Sequence, residues 1–457
     1  MKKEMYSSEV TLLRDTFRRL LRRHAKTNIV KLIDKTHPSD LAQIFRYFND
    51  TEQDLIFSSM LPSEETVKFL YELDESIATR LIESETADRL AKIMEEASSN
   101  EQAFLMGLVS DDFASSVIDL LQAEEQEELE EMMAYPEDSA GILMYTDVFT
   151  LHEETKAREA IYALQDQEDA EMVFYLYTLD DDGRLTGVIS LRDLVTTPSE
   201  TMLKDIMSKN IQAVRPETDQ EEVARIVSQY NFLAVPVVDA SEKLLGIVTV
   251  DSVVDVIREE ATEDFLQLAG AGKDREILLK SSWENARIRL PWLFASWIGG
   301  ILAAFIIGVF DNILESAIAL AAFIPVIFGM GGNVGTQSST IIVRGLATGR
   351  VSFENSIKVL FKEMRVGLIL GSLYGVLLGV FAIFQFIDAS PLLGVVVGLS
   401  ISVSMILATT IGSLVPLVLN RFDIHPAVAT GPFVTTAIDV IGVAFYFIIA
   451  QALLVAN

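Results

Sequence analysis

Residues 316–343 contain no charged side chain, a run long enough to cross a bilayer, which takes about 20 apolar residues. Its centre is nonetheless unusual for lipid: Pro325-Val326-Ile327-Phe328-Gly329-Met330-Gly331-Gly332-Asn333-Val334-Gly335-Thr336-Gln337-Ser338 holds a proline, four glycines and a cluster of amides and hydroxyls. Broken backbone at membrane depth is tolerated only where it is buried in protein or lines a wet cavity. One reading is a glycine-rich kink that turns carbonyl oxygens, with Asn333, towards a pore. The other is close helix packing through small residues such as Gly331 and Gly335. Packing explains the glycines but not the Asn-Thr-Gln trio beside them, so the pore reading is preferred.

Four further apolar runs, at 290–310, 366–387, 389–420 and 424–457, bring the expected spans to five. Arg287, Arg289, Arg344, Arg350, Lys358, Lys362, Arg365 and Arg421 fall on one side of them, and Asp311, Glu315 and Asp388 near the other. The positive-inside bias predicts a multi-pass protein of the cell (inner or plasma) membrane, with the N-terminal 280 residues cytoplasmic and the C-terminus outside. Residues 1–31 lack the apolar core of a secretory signal.

The charge is unevenly placed. Residues 281–457 hold eight acids and eight bases, so the first 280 residues carry the whole formal charge of −30. Such an excess argues against nucleic acid as a partner, since phosphate needs cations. It favours bound cations, or acidic faces that repel one another until something neutralises them. The absence of cysteine rules out a disulfide scaffold and fits a reducing compartment.

The chain divides into a helical domain (1–135), an α/β region (136–260), a connecting helix (261–285) and a membrane domain (286–457). In the first, short helical blocks are punctuated by His37-Pro38-Ser39-Asp40, Pro62-Ser63-Glu64-Glu65 and Ser110-Asp111-Asp112, the pattern of stacked helix pairs in a superhelix. An opening helix sets Arg18, Arg19, Arg22 and Arg23 against an apolar face; a solvated face is preferred over lipid headgroups for it. In the second, a strand–turn–strand plan occurs twice, at 172–190 and 233–250, with Gly187 and Gly246 matched. Gly187-Val188-Ile189-Ser190-Leu191-Arg192-Asp193 and Gly246-Ile247-Val248-Thr249-Val250-Asp251 resemble the end of a CBS domain, which implies a CBS pair (about 136–203 and 204–260). That resemblance implies an adenosine site, for a nucleotide such as ATP, at Ser190, Arg192 and Asp193 of the first copy. The second copy has Ser252 where the Asp is expected.

Asp439 is the one ionisable group expected firmly inside a span. A buried carboxylate costs at least about 2.5–3.5 kcal/mol even on the lenient insertion scale, so it should face a cavity or a partner. Thr435 and Thr436 lie four and three residues earlier, on nearly the same helix face. An oxygen-only set of Asp439, the threonines, Asn333 and backbone carbonyls suits a hard divalent ion, and Mg2+ in particular keeps several waters. Enzyme signatures fail. His152-Glu153 lacks the second histidine of a zinc protease, Gly270-Ala271-Gly272-Lys273-Asp274 lacks a phosphate loop's Ser or Thr, and Gly329-Met330-Gly331 lacks the third glycine of a dinucleotide fingerprint.

Pro325 to Ser338 and Gly431-Pro432-Phe433-Val434-Thr435-Thr436-Ala437-Ile438-Asp439 resemble the two signatures of the MgtE family of magnesium channels, and the order of parts is similar as well. The resemblance implies a homodimer with one pore on the two-fold axis and Mg2+ as both cargo and regulator. It implies Asp439 as the selectivity residue, within a candidate pore set of Asp439, Asn333, Gly329, Thr336, Thr435 and Thr436. It also implies closure through the connecting, or plug, helix when Mg2+ bridges acidic cytoplasmic faces. Candidate sensors are Asp111 and Asp112, then Glu217, Asp219 and Glu222, then Asp251, Asp255, Glu259 and Glu260. A broader divalent importer passing Co2+ or Mn2+, and a non-conducting membrane-anchored sensor of Mg2+ or nucleotide, are the alternatives.

Overall fold

The computed structural model describes residues 2–165, 174–352, 354–387, 390–422, 424–429 and 431–454. Met172, Asp388 and the span ends expected at 389 and 457 lie outside the described residues. The chain forms two compact units, Met1–Ile257 and Arg258–Asn457.

The first unit opens with ten α-helices, from Lys2–Arg22 to Ala123–Met133, as the cap spacing predicts. Two segments 49 residues apart use the same devices. At the first, Glu52 N donates to Asn49 Oδ1 (2.9 Å), Asn49 N donates to Glu52 Oε2 (3.2 Å), and the buried amide of Gln53 donates to Phe45 O (3.0 Å). At the second, Ser98 N donates to Glu101 Oε2 (3.0 Å) and the buried Gln102 amide donates to Met94 O (2.8 Å). Each device ties one helix end to the start of the next, satisfying backbone groups that helix termini leave open. The apolar faces so aligned bury Phe17, Phe45, Phe57 and Phe69 in one core.

The α/β region follows. Strands β1 (Thr150–His152), β2 (Tyr175–Leu179) and β3 (Leu185–Ser190) form one sheet, and β4 (Ala234–Val238) pairs with β5 (Leu244–Thr249) in another. The duplication read from sequence is visible in the register. Gly187 stands opposite Thr178 and Gly246 opposite Val237, each hairpin shifting register at the next pair. Each turn is closed by its first aspartate. Asp180 Oδ1 accepts from Asp182 N (2.9 Å) and Arg184 N (2.8 Å); Asp239 Oδ1 accepts from Ser241 N and Lys243 N, both at 2.8 Å.

The connecting helix differs from expectation. It runs Val250–Leu268, starting directly after β5 and ending well before 285. Gly270 and Gly272, both at positive φ (68° and 91°), break it, and such a conformation costs glycine least.

The second unit contains five helices long and apolar enough to cross a membrane. The first is Ser282–Val309 and the second Ile324–Ala347, entered through a 3-10 turn at Ile318–Phe323. The third is Ser356–Gln385, the fourth Leu392–Arg421 and the fifth Pro432–Leu454. The fifth thus starts at Pro432 rather than near 424, because residues 426–429 make a 3-10 turn. The expected kink in the signature is absent: residues 324–347 are one unbroken α-helix. Pro325 lies in its first turn, where the missing N–H has no intrahelical acceptor to lose, and the helix keeps its carbonyls bonded within itself. The glycines serve packing instead. Gly412 abuts Gly335 O, and a Cβ on Gly331 would lie 3.1 Å from Ile438 and 3.2 Å from Ser404 Oγ.

Candidate metal centre

The fifth helix sets the donors. Pro432 opens it, and Thr435 donates to Gly431 O through both N (3.2 Å) and Oγ1 (3.1 Å). One turn on, Asp439 is half-buried. Its Oδ1 is fully enclosed and accepts no hydrogen bond among the described residues. Gly332 of the second helix lies opposite: a Cβ there would stand 3.0 Å from the Thr435 methyl and 4.0 Å from Asp439 Oδ1. Thr435 and Asp439 therefore share one place. Thr436 does not join them; its side chain is packed on Gly299 of the first helix.

The other signature residues occupy a different face. Gly329, Asn333 and Gln337 recur every four residues and are exposed, with Thr336 half-buried beside them. This is a polar stripe on the outside of a single chain, along a helix of membrane-spanning length. Polar groups facing hydrocarbon are costly, so the stripe calls for a covering surface.

The end of the connecting helix lies against the start of the fifth. A Cβ on Gly431 would sit 2.6 Å from Leu268 O, and one on Gly270 2.9 Å from Pro432 Cγ. The acids of the connecting helix are partly answered by the loop that follows. Glu259 pairs with Arg275 (2.7 Å) and Glu263 with Lys273 (2.9 Å). Asp251 is exposed, with Asp255 one turn on and Glu259 and Glu260 after it, all on this helix and so on one side of it apart from Glu260.

Elsewhere the acids are engaged to different degrees. Asp111 and Asp112 are exposed in the first turn of Asp111–Ile118. Asp219 caps Gln220–Tyr230 by accepting from Glu221 N at 2.8 Å, and Glu222 pairs with Arg225. Glu217 lines a surface pocket with Glu131, Tyr135, Arg215 and Asp239. Burial, with Glu131 and Glu217 nearby, holds the Tyr135 phenol above its ordinary pKa. In the α/β region Ser190 Oγ donates to Asp193 Oδ2 (2.7 Å) and caps the following helix, with Arg192 exposed beside it. In the second copy the matching position is the buried Ser252, 3.4 Å from Thr249 Oγ1.

Sequence reading missed Glu363. The third helix begins ten residues before the expected span, and it carries this carboxylate inwards, 6% exposed, with Ser338 Oγ donating to Oε2 at 2.8 Å. Asp439 is thus not the sole acid enclosed by these helices. The signal was in the sequence: Glu363, Gly367, Gly371, Gly375 and Gly379 recur every four residues, which places Glu363 on the tightly packed face.

Residues 324–449 match a family described as MgtE divalent cation transporters, residues 36–138 its intracellular N domain, and 140–200 and 203–259 CBS domains. The magnesium transporter MgtE of Bacillus subtilis (strain 168) is 31% identical over 422 residues, which is 92% of this chain and 93% of that one. This chain belongs to the MgtE family. A second MgtE, from Thermus thermophilus, is 35% identical over 440 residues, covering 93% of this chain and 95% of its own. The cytosolic domain of the Mg2+ channel MgtE, solved in complex with ATP, superposes with a TM-score of 0.51 at 31% identity. It covers 53% of this chain and 99% of that structure.

Proposed function

We propose that this chain carries Mg2+ across the cell membrane into the cytoplasm, and that Mg2+ bound to its acidic cytoplasmic faces closes the path. The observation that carries this reading is the enclosed, unpartnered Oδ1 of Asp439 against Gly332 and Thr435. A carboxylate oxygen left without a donor at membrane depth is costly unless a cation meets it. Mg2+ sheds water reluctantly and is held by one or two carboxylates with retained waters.

One chain supplies one such carboxylate and leaves the Gly329–Asn333–Gln337 stripe uncovered. A two-fold symmetric homodimer covers the stripe and brings two Asp439 side chains to a shared path, and closed two-fold assemblies are the commonest kind. The positive-inside bias of Arg344, Lys358, Lys362 and Arg365 supports an orientation with residues 1–280 in the cytoplasm and the C-terminus outside. Asp251, Asp255, Glu259 and Glu260 are the favoured sensors, since their helix ends against the fifth helix at Gly431. Ser190, Arg192 and Asp193 form the proposed ATP site.

The test is Mg2+ uptake by the purified chain in liposomes, with Co2+, Mn2+ and Ca2+ as competitors. Mg2+ flux that Asp439→Ala abolishes is expected; parent-like flux in that variant overturns the assignment. The family's description as divalent cation transporters favours a second reading, a broader importer, for which Co2+ and Mn2+ would pass as readily.

A further inference from the structure

The third and fourth membrane helices are joined by a seam of glycines in constant register. A Cβ on Gly379 would stand 2.7 Å from Gly394 O, one on Gly375 2.5 Å from Gly398 O, and one on Gly371 2.7 Å from Ser402 O. On Gly367 it would stand 2.9 Å from Met405 O and 3.0 Å from the Cα of Ile406. Each turn back along the third helix advances one turn along the fourth. Glu363, one turn before Gly367, therefore faces the turn between Thr409 and Ser413.

The second helix reaches the same level. A Cβ on Gly331 would meet Ser404 Oγ at 3.2 Å, and one on Gly335 would meet Ala408 O at 3.4 Å. The next turn, Ser338 and Ser339, thus comes level with Gly412 and Ser413. Three helices converge there with oxygen donors. Glu363 is 6% exposed, Ser338 3%, and Ser339 and Ser413 both 0%.

This cluster is under-satisfied. Among the described residues Glu363 accepts one side-chain hydrogen bond, from Ser338 Oγ at 2.8 Å, where a carboxylate has about four lone-pair sites. Lys362 and Arg365, its basic neighbours in sequence, are exposed, and no basic side chain pairs with it among the described residues. The hydroxyls of Ser339 and Ser413 are buried without partners among the described residues, although a helix serine can bond back to the carbonyl four residues earlier. A glycine or alanine at 363 would continue the seam, so packing does not ask for a carboxylate here.

We propose that Glu363, Ser338, Ser339 and Ser413 form a cation site inside each protomer, separate from Asp439 and selective for a small monovalent cation such as Na+. The class follows from charge and hydration. One carboxylate balances one positive charge, and hydroxyl oxygens replace the water that a small monovalent ion gives up. Mg2+ would leave excess charge buried and keeps its waters, which a site this enclosed does not favour. The site lies about 9 Å along the second helix from Gly332, at 1.5 Å per residue, and on another face. It does not depend on conduction past Asp439.

The experiment is labelling of the full-length protein in detergent with a hydrophobic carbodiimide, read by mass spectrometry of the Glu363 peptide. Na+ should protect Glu363, while K+ or choline at equal ionic strength should not. Ser413→Ala and Ser339→Ala should raise the Na+ needed for half-protection about ten-fold, the usual cost of losing one supporting ligand, with unchanged elution on gel filtration. Labelling indifferent to Na+ in the parent would show a carboxyl that only ties helices together, and overturns the proposal. Protection by Mg2+ at lower concentration than Na+ also overturns it, assigning Glu363 to the divalent path. The readout involves no transport, so failure of the proposed Mg2+ uptake leaves it decidable.

Discussion

Gly332 and Asp439 meet across the second and fifth membrane helices, with 4.0 Å between the place of a Cβ on Gly332 and Asp439 Oδ1. The contact explains why the acid stands where a side chain on the facing helix would crowd it. It also sets stability against function. Asp439→Asn removes a charge whose burial costs at least about 2.5–3.5 kcal/mol, while keeping an oxygen against Thr435. Mg2+ flux in liposomes should fall steeply, and thermal unfolding in Mg2+-free detergent should shift upwards. A variant that loses flux and also unfolds earlier would make Asp439 a structural residue.

The seam of the third and fourth helices gives a packing prediction. At Gly371 a Cβ would stand 2.7 Å from Ser402 O and 2.9 Å from its Cα, both backbone atoms with little freedom to move. Gly371→Ala should therefore cost about 1–3 kcal/mol, the range for overpacking, seen as a lower unfolding midpoint. Gly300→Ala, where nothing lies within 4 Å, should be neutral or slightly stabilising.

Much of this was legible in the sequence because periodicity and charge report burial directly. The five spans, the hairpin duplication at Gly187 and Gly246 and the short capped helices each follow from local pattern. What was not legible depends on the partner across a contact. The glycines of 325–338 read as a break in preference to a packing face, because of the Asn-Thr-Gln trio beside them, and only Ile438, Ser404 and Gly412 on neighbouring helices decide for packing. Glu363 sits between Lys362 and Arg365, so a charge-based boundary cut the third span short and left the acid outside. Thr436 shares a helix with Asp439, but Gly299 on another helix takes its side chain.

The proposed ATP site can be tested copy by copy. Ser190 and Asp193 are hydrogen-bonded and exposed, whereas Ser252 is buried. Asp193→Ala should weaken ATP binding, measured by calorimetry on the full chain, by about ten-fold or more, the scale of a lost charge-assisted bond. Ser252→Ala should leave it unchanged. Equal losses from both would place the nucleotide differently.

The loop after the connecting helix supplies built-in counter-ions. Arg275 on Glu259 and Lys273 on Glu263 are partly exposed pairs, worth about 0–1 kcal/mol each, so Lys273→Ala with Arg275→Ala should hardly alter stability. Removing both cations leaves the acids freer to take Mg2+. Closure, followed by protease protection and flux, should then need about two- to five-fold less Mg2+, as a change near 1 kcal/mol implies. An unchanged midpoint would place the sensing acids elsewhere.

Gly431 stands where the connecting helix ends against the fifth membrane helix. Its missing side chain lets Leu268 O, at the end of the connecting helix, approach to 2.6 Å from where a Cβ would stand. Pro432 follows at once, and Asp439 lies seven residues further, about two helical turns. The obstruction is a backbone carbonyl, so Gly431→Ala must displace one helix end from the other. If the connecting helix closes the path by resting here, the variant should conduct normally at low internal Mg2+. At high internal Mg2+ it should close incompletely. The measurement is liposome flux across a series of internal Mg2+ concentrations, beside protease protection of the first unit, Met1–Ile257. Protection should keep its parent midpoint, because the acids are untouched, while the flux midpoint moves up. If the two midpoints stay together at the parent value, Gly431 serves packing alone and the closing contact lies elsewhere.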